Sequence, residues 1–280
     1  RPSNRLQLRR PLISRSRAIP TQGSRQHTNL QMWSALLRAV FLFATLITTP
    51  AAISQVSTAA EDLSILEFLT PRAAGSENER VTLRYVEERL RNLAVAYTSH
   101  QIAKSGTPGD IISVLIPGHS KRTLAIVVPI DHPVENKLGR LGSAGITVAL
   151  HTVETSKRDP LPVTLQVVFV SGEYGPGDRA GLGSKHVVDN LSLQNPEAVI
   201  YINLATVPDL VLLQLGGRTA QTPLWLLESV ANALDQNHLT FETRSTAIQI
   251  ARTGLPLGRS MIDPYLSAGH PAIELSGRHP

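Results

Sequence analysis

Residues 161–175 read LPVTLQVVFVSGEYG, and residues 181–190 read GLGSKHVVDN. The first stretch holds a run of β-branched and other apolar residues, Leu165–Val170, that ends abruptly in small and charged residues. Such a run suits a central strand with both faces buried, where no polar face needs to alternate with an apolar one. Leu124–Val128, LAIVV, reads the same way. Further strand-like runs lie at Tyr97–Ala103, Ile111–Ile116, Ala198–Leu204, Leu210–Leu215 and Ala272–Leu275, with the LAIVV run extending to Ile130 and LQVVFV beginning at Val163. Between them the spacing predicts helices over Gly142–Glu154, Gly183–Asn190 and Pro223–Gln236. Upstream, Ser76-Glu77-Asn78-Glu79 has the form of a capping box, and Leu83, Val86, Leu90 and Leu93 behind it make one apolar helix stripe. Strands alternating with helices predict an α/β fold, a mixed and mostly parallel sheet sandwiched between helices. About 220 residues can bury roughly 70% of their unfolded surface, so a single core suffices. No internal repeat is present.

The net charge of +5 comes from one end of the chain. Residues 1–38 hold eight arginines and no acid, which leaves 19 basic and 22 acidic side chains in 39–280, a net of −3. Charge confined to one end gives no basic surface on the folded part, so no nucleic-acid partner is expected there. Cysteine is absent. That excludes disulfides, thiolate metal sites, a cysteine nucleophile and an acyl anchor on cysteine. Any metal would need His, Asp and Glu.

Residues 1–31 are rich in Arg, Ser, Gln and Pro and have no apolar period, as expected of a basic disordered tail or of residues upstream of a start at Met32. Residues 32–54 run from Met32 through one cation, Arg38, into apolar Ala39–Ile47 and then Pro50 and small residues. This is the order of a signal peptide, and it is marginal for a permanent membrane anchor, which needs about 20 apolar residues. A buried core helix is the remaining reading of this segment. The first two readings place residues 55–280 outside the cytoplasm, with 55–61 as linker and 62–280 as the folded domain.

In such folds the working residues sit where strands end. Those ends carry Pro129-Ile130-Asp131-His132, then Ser171-Gly172-Glu173-Tyr174-Gly175, then Ala205, and finally Ser260-Met261-Ile262-Asp263 ahead of Ala268-Gly269-His270-Pro271-Ala272. From about Leu66 to the last residue the order of these segments resembles metallopeptidase family twenty-eight, the two-zinc aminopeptidases and carboxypeptidases. Pro71-Arg72-Ala73-Ala74-Gly75-Ser76 resembles that family's opening, 161–190 its strand, Glu-Glu loop and helix start, and SMIDPYLSAGHPAIEL (260–275) its Ser-Asp-His to Ala-Gly-Ile-Pro-Ala segment. The resemblance implies two zinc ions about 3.5–4 Å apart, bridged by an aspartate and a hydroxide, with a glutamate as general base.

Carried over position by position, the family's ligands fall on Pro129, Arg140, Tyr174 and Ala205, while Asp131 and the general-base position Glu173 are kept. The family's Ser-Asp-His becomes Ser260-Met261-Ile262, and its last histidine would fall near or beyond His279, so the C-terminus is short relative to the family. None of the four replacements is a usual zinc ligand, and a zinc site needs three or four. The resemblance therefore implies the fold and speaks against the activity. Glu173 reads as a vestigial base or, more simply, as an exposed loop acid, since a base with no activated water has nothing to deprotonate. Asp131 is an orphan ligand or a turn residue before Pro133. Arg140 is a cation that neutralises Asp131 and Glu173 in place of zinc, or a solvated loop arginine. Tyr174, Tyr265 and Trp225 are core aromatics or cleft walls, and His151, His186 and His238 read as surface residues. Gly216-Gly217-Arg218 reads as a turn, and no Gly-x-Ser-x-Gly elbow is present.

The function expected is that of a non-catalytic peptidase homologue, exported or anchored through 32–54, with no cofactor. It would bind a peptide, a protein or a component of the cell envelope in a remodelled cleft around Asp131, Arg140 and Tyr174. The competing expectation is an active hydrolase with zinc on an unusual or single-metal site of Asp131, His132 and Glu173. A third has the arginine-rich tail on anionic lipid or nucleic acid.

Overall fold

A computed structural model describes residues 53–102, 109–132, 142–175, 181–190, 196–216, 220–243 and 260–278. The signal or anchor segment, apart from its last two residues, Arg140 and the Gly217-Arg218 part of the turn lie outside them. Two helices lead, α1 (Ile53–Phe68) and α2 (Glu77–Asn92). Three strands come next, β1 (Tyr97–Gln101), β2 (Asp110–Ile116) and β3 (Thr123–Pro129), and then α3 (Ser143–Arg158), β4 (Thr164–Val170), α4 (Leu182–Asn190), β5 (Pro196–Asn203) and β6 (Leu210–Gln214). The rest is α5 (Leu224–Gln236), β7 (Phe241–Thr243), α6 (Asp263–Ser267) and β8 (Ala272–Arg278). All eight strands form one sheet in the order β1-β2-β4-β3-β5-β8-β6-β7. The neighbours β4/β3, β3/β5, β5/β8 and β6/β7 are parallel; β1/β2, β2/β4 and β8/β6 are antiparallel.

The two runs that decide the sequence reading occupy the middle of the sheet. Every residue of β3 is buried, and so is every residue of β4 after Thr164. Side chains of alternate parity enter different cores. Ile126, Val128, Val167 and Phe169 join Leu83, Val86, Leu90, Leu150, Val153, Val230 and Leu234 on the face covered by α2, α3 and α5. Val127, Val168, Val170, Val199 and Tyr201 join Val187, Ile262 and Tyr265 under α4 and α6.

The capping residues begin α2 as expected: Ser76 Oγ accepts the Glu79 amide at 3.2 Å. The returning carboxylate reaches the Gly75 amide, one residue earlier than the simple box. Glu77 and Glu79 in the first turn and Arg89 and Arg91 in the last match the helix dipole.

Four corrections concern the elements. Residues 55–61 are not a linker but part of α1, whose Ala59, Asp62 and Leu66 are buried one helical turn apart. Asp62 is tolerated inside because Arg89 of α2 pairs with it at 2.8 Å and the Tyr85 hydroxyl bonds it. The short β7 and α6 have no counterpart among the expected elements, and β8 runs on to Arg278. His151 is no surface residue: α3 is buried almost all round, His151 with it, and that burial lowers its pKa.

Candidate functional site

β3, β4, β5 and β8 all point their carboxyl ends to the same edge of the sheet. Among the described residues, Asp131, Glu173 and Glu274 sit near that edge, and each is engaged by the protein itself. Asp131, two residues past β3, is fully buried. Its Oδ1 accepts the Glu173 amide at 3.0 Å and its Oδ2 the Tyr174 amide at 2.8 Å. The turn after β4 is thus seated on this carboxylate. Desolvation pushes Asp131 up, and the amides of Tyr174 and Glu173 pull it part of the way back. Asp131 is therefore neither a free ligand nor a surface turn residue.

Glu173 is not the exposed loop acid that its glycine neighbours suggest. It is fully buried and caps α4. Its Oε1 accepts the Ser184 amide in the first turn of that helix. Its Oε2 accepts both the Ser184 hydroxyl and the Tyr201 hydroxyl at 3.0 Å. The Tyr265 hydroxyl donates in turn to Ser184 Oγ at 3.0 Å. A helix start leaves free amides that a carboxylate satisfies well, and here the carboxylate comes from another loop. Gly183 makes the approach possible, since a Cβ there would lie 2.1 Å from the Ser171 carbonyl oxygen and 2.7 Å from Glu173 Oε1. Burial, followed by the Asp131 charge, raises Glu173 to about 8. The oxygens of Glu173 thus face Ser184 and Tyr201 inside the protein.

Arg72 supplies the buried cation. It comes from the opening segment and is 1% exposed. Its Nε donates to the Ile130 carbonyl and its Nη1 to the Leu66 carbonyl, both at 2.9 Å, with Ser143 Oγ at 3.4 Å from Nη1. Its own carbonyl accepts the His132 amide at 2.7 Å. Burial brings the guanidinium down to about 10, and the Asp131 charge acts in the opposite direction. The sequence reading offers this role to Arg140, with a solvated loop arginine as the alternative, and Arg140 lies outside the described residues. The clue to Arg72 is an arginine among small apolar residues directly before a helix cap, a signal that does not by itself distinguish core from surface.

The His132 ring is buried and stacks on Tyr174 with centroids 5.0 Å apart and planes at 23°. Burial, with the Arg72 charge adding to it, lowers its pKa to about 3, so the ring is neutral. Nε2 has no hydrogen-bond partner and is turned against Gly142, where a Cβ would stand 2.1 Å away. Gly142 has φ +80° and starts α3, so its missing side chain serves both the turn and the imidazole. Tyr174 is half-buried. Burial and the Glu274 and Glu173 charges push its phenol well above the ordinary range, against a hydrogen bond with Asn203. Tyr265 is entirely core, which answers one of the aromatic alternatives.

Glu274, absent from the sequence reading, is the third carboxylate. It is buried in β8 and accepts Asn203 Nδ2 at 3.0 Å and Gln214 Nε2 at 3.1 Å from the two neighbouring strands. Its only sequence signal is one acid inside the apolar AIEL run. Of the positions that the resemblance sets against zinc ligands, Pro129 closes β3, and Ala205 lies just past β5, where its carbonyl faces the Ala144 amide at 3.5 Å. Among the described residues no three His, Asp or Glu side chains gather so that they could hold a metal ion. Asp131 holds the amides of Glu173 and Tyr174, the His132 ring lies on Tyr174, and Glu173 faces the start of α4, so the described residues do not fit a zinc ion.

Residues 157–279 match the sequence profile of the TP_0564 family, first domain. No curated protein matches the chain. Solved structures match over most of its length. The glutaminyl cyclase of Porphyromonas gingivalis is 16% identical with a TM-score of 0.55, over 78% of this chain and 82% of that one. The glutaminyl cyclase of an Acidobacteriales bacterium is 13% identical with a TM-score of 0.58, over 78% of each chain. The LapA aminopeptidase of Legionella pneumophila is 15% identical with a TM-score of 0.58, over 95% of this chain and 67% of that one. The fold is that of the zinc aminopeptidases and glutaminyl cyclases. At these identities the likeness concerns the fold, and the chemistry has to be argued from the residues.

Proposed function

We propose that the chain is a non-catalytic homologue of the zinc aminopeptidases, exported or membrane-anchored, that binds a peptide, a protein or an envelope component in a remodelled cleft. The observation that carries this reading is the commitment of the carboxylate oxygens at the sheet edge. Asp131 holds backbone amides, Glu173 caps α4, and Glu274 bridges β5 and β6. Freeing them for a cation would unmake hydrogen bonds inside the core, each left unsatisfied at a cost of about 1–3 kcal/mol. Tyr174, half-buried with one ring face on His132, is the aromatic group at this edge that a polypeptide ligand would meet. Export rests on the order of residues 32–54, a cation and then an apolar run and small residues.

The test is metal analysis of the purified full chain after exposure to excess zinc and dialysis, together with hydrolysis of aminoacyl and N-terminal glutaminyl peptides. Zinc well below one ion per chain and no turnover are expected. One or two retained ions per chain with turnover would overturn the reading.

A further inference from the structure

The two ends of the sheet differ in kind. β7, the last strand on one side, is three residues long and carries Glu242 at its centre. A strand that short, with a charge on it, is a blunted edge. β1, the last strand on the other side, reads Tyr97-Thr98-Ser99-His100-Gln101, with no Asp, Glu, Lys, Arg or Pro. Thr98, Ser99 and Gln101 are exposed, while Tyr97 is half-buried and packs against the core on the α2 face. Nothing in β1 itself guards this edge against pairing.

The register with β2 decides which backbone groups face outward. Thr98 lies opposite Ser113 and His100 opposite Ile111. One step beyond the strand, and in the same register, the Ile102 amide donates to the Gly109 carbonyl at 2.7 Å. In an antiparallel ladder, hydrogen-bonded pairs alternate with pairs that are not bonded. Ile102 and Gly109 form a bonded pair, so His100–Ile111 and Thr98–Ser113 are bonded pairs too. Tyr97, Ser99 and Gln101 therefore point their N–H and C=O groups away from β2. Among the described residues no strand lies beyond β1, and no hydrogen bond reaches these outward groups.

A row of outward donors and acceptors at every second residue, centred on Ser99, is its own complement. Turned about a two-fold axis that passes beside Ser99 at right angles to the sheet, Ser99 meets the second copy's Ser99, and Tyr97 meets its Gln101. Each such pair exchanges two N–H···O bonds. Thr98 then stands opposite His100 on the other face, and no like charges meet across the join. The α2 flank beside β2 carries Glu77, Arg80, Arg84 and Glu87. Both signs are present there, and Arg80 and Arg84 already pair with Glu77 at 2.9 and 2.8 Å, so two copies bring no block of one sign together. We propose that β1 is a dimerisation edge: two copies of this chain pair their β1 strands antiparallel about Ser99 and join their sheets into one. The contact is isologous and closes on itself, so assembly through it stops at two.

The test is sedimentation equilibrium and amide hydrogen exchange on the full chain, wild type against Ser99→Pro, Ser99→Lys and Ser99→Glu. Wild type should dimerise at concentrations up to about 100 μM, with the amides of Tyr97, Ser99 and Gln101 more protected at high concentration than at low. Proline removes an amide that β2 does not use and is accepted on such an edge. Ser99→Pro should keep the wild-type urea midpoint and weaken the dimer by about thirtyfold, for the two bonds lost between the copies. Ser99→Lys and Ser99→Glu each set like charges opposite one another across the axis and should weaken it by about fivefold. An equimolar mixture of those two should associate more tightly than either alone. A wild-type monomer at about 100 μM, which would leave the edge to a different protein, overturns the proposal. So does protection independent of concentration, the mark of another segment of this chain on β1. An assembly that Ser99→Pro leaves intact, a urea midpoint that Ser99→Pro lowers, or a mixture no tighter than its parts would each overturn it as well.

Discussion

Replacing Arg72 with methionine removes a guanidinium from a dry site while keeping most of its apolar volume. The carbonyls of Ile130 and Leu66 each lose a 2.9 Å hydrogen bond from a charged donor, and the Arg72 charge that acts on Asp131 is gone. Hydrogen bonds to charged groups contribute about 1.5–3 kcal/mol each, and breaking a buried charge pair from one side costs about 3–5 kcal/mol in all. These figures overlap rather than add, because Arg72 also costs desolvation when it is present. We expect Arg72→Met to lose about 4 kcal/mol near pH 7. Against a domain stability of about 5–15 kcal/mol, that leaves the fold marginal. The deficit should depend on pH. Without the cation the Asp131 pKa rises further, so the variant loses stability as pH climbs through that higher value and regains part of it in acid. Urea unfolding monitored by circular dichroism at a series of pH values reads both effects, with a midpoint shift of about 2 M for a slope near 2 kcal/mol/M. A loss within about 0.5 kcal/mol, the size of an ordinary surface substitution, would refute the assignment of Arg72 to the core. A deficit that grows towards acid pH would refute the action of its charge on Asp131.

Glu173→Gln should flatten the pH dependence of stability. The native carboxyl is raised from 4.5 to about 8, so its contribution is complete below pH 4.5 and disappears as pH rises through about 8, where the glutamine variant should equal or exceed wild type. Chemical unfolding above and below that pH decides it. Gly183→Ala should destabilise by about 2–3 kcal/mol, because the new methyl meets the Ser171 backbone oxygen and the tip of Glu173; a thermal melt checks it. Between the sheet and helices α3 and α5 lies an apolar cavity of about 40 Å³, lined by Ile126, Val148, Ile200, Val211 and Leu234 among others. Val211→Ile should fill part of it and raise stability by up to about 0.8 kcal/mol, the value of one buried methylene, readable as a higher urea midpoint.

How much of the molecule is legible in its residues depends on the range of the interaction. The central strands are legible because a strand buried on both faces can only be a continuous apolar run, and LAIVV and LQVVFV are such runs. The start of α2 is legible because a cap is a matter of four consecutive residues. By contrast, α1 is hidden because its apolar residues are spread round the helix rather than gathered into one stripe. Asp62 inside it becomes acceptable only when Arg89, 27 residues on, arrives from α2. Among the site residues, Asp131, Glu173 and Tyr174 stand at the expected strand ends, but their states could not be read there.

The amino-acid sequence by itself determined the alternation of strands and helices and the near-balanced charge of residues 39–280 beside an arginine-rich stretch at 1–38. Only the tertiary structure decided that Glu173 is a helix cap, that Asp131 is a seat for a loop, and that Arg72 is the cation between opening segment and sheet. The reason is physical. Whether a carboxyl group is a base, a ligand or a strut depends on which donors reach its oxygens and how dry the place is. For Glu173 those donors come from Ser184, Tyr201 and, through Ser184, Tyr265, residues brought together by helix packing on the sheet rather than by any local pattern.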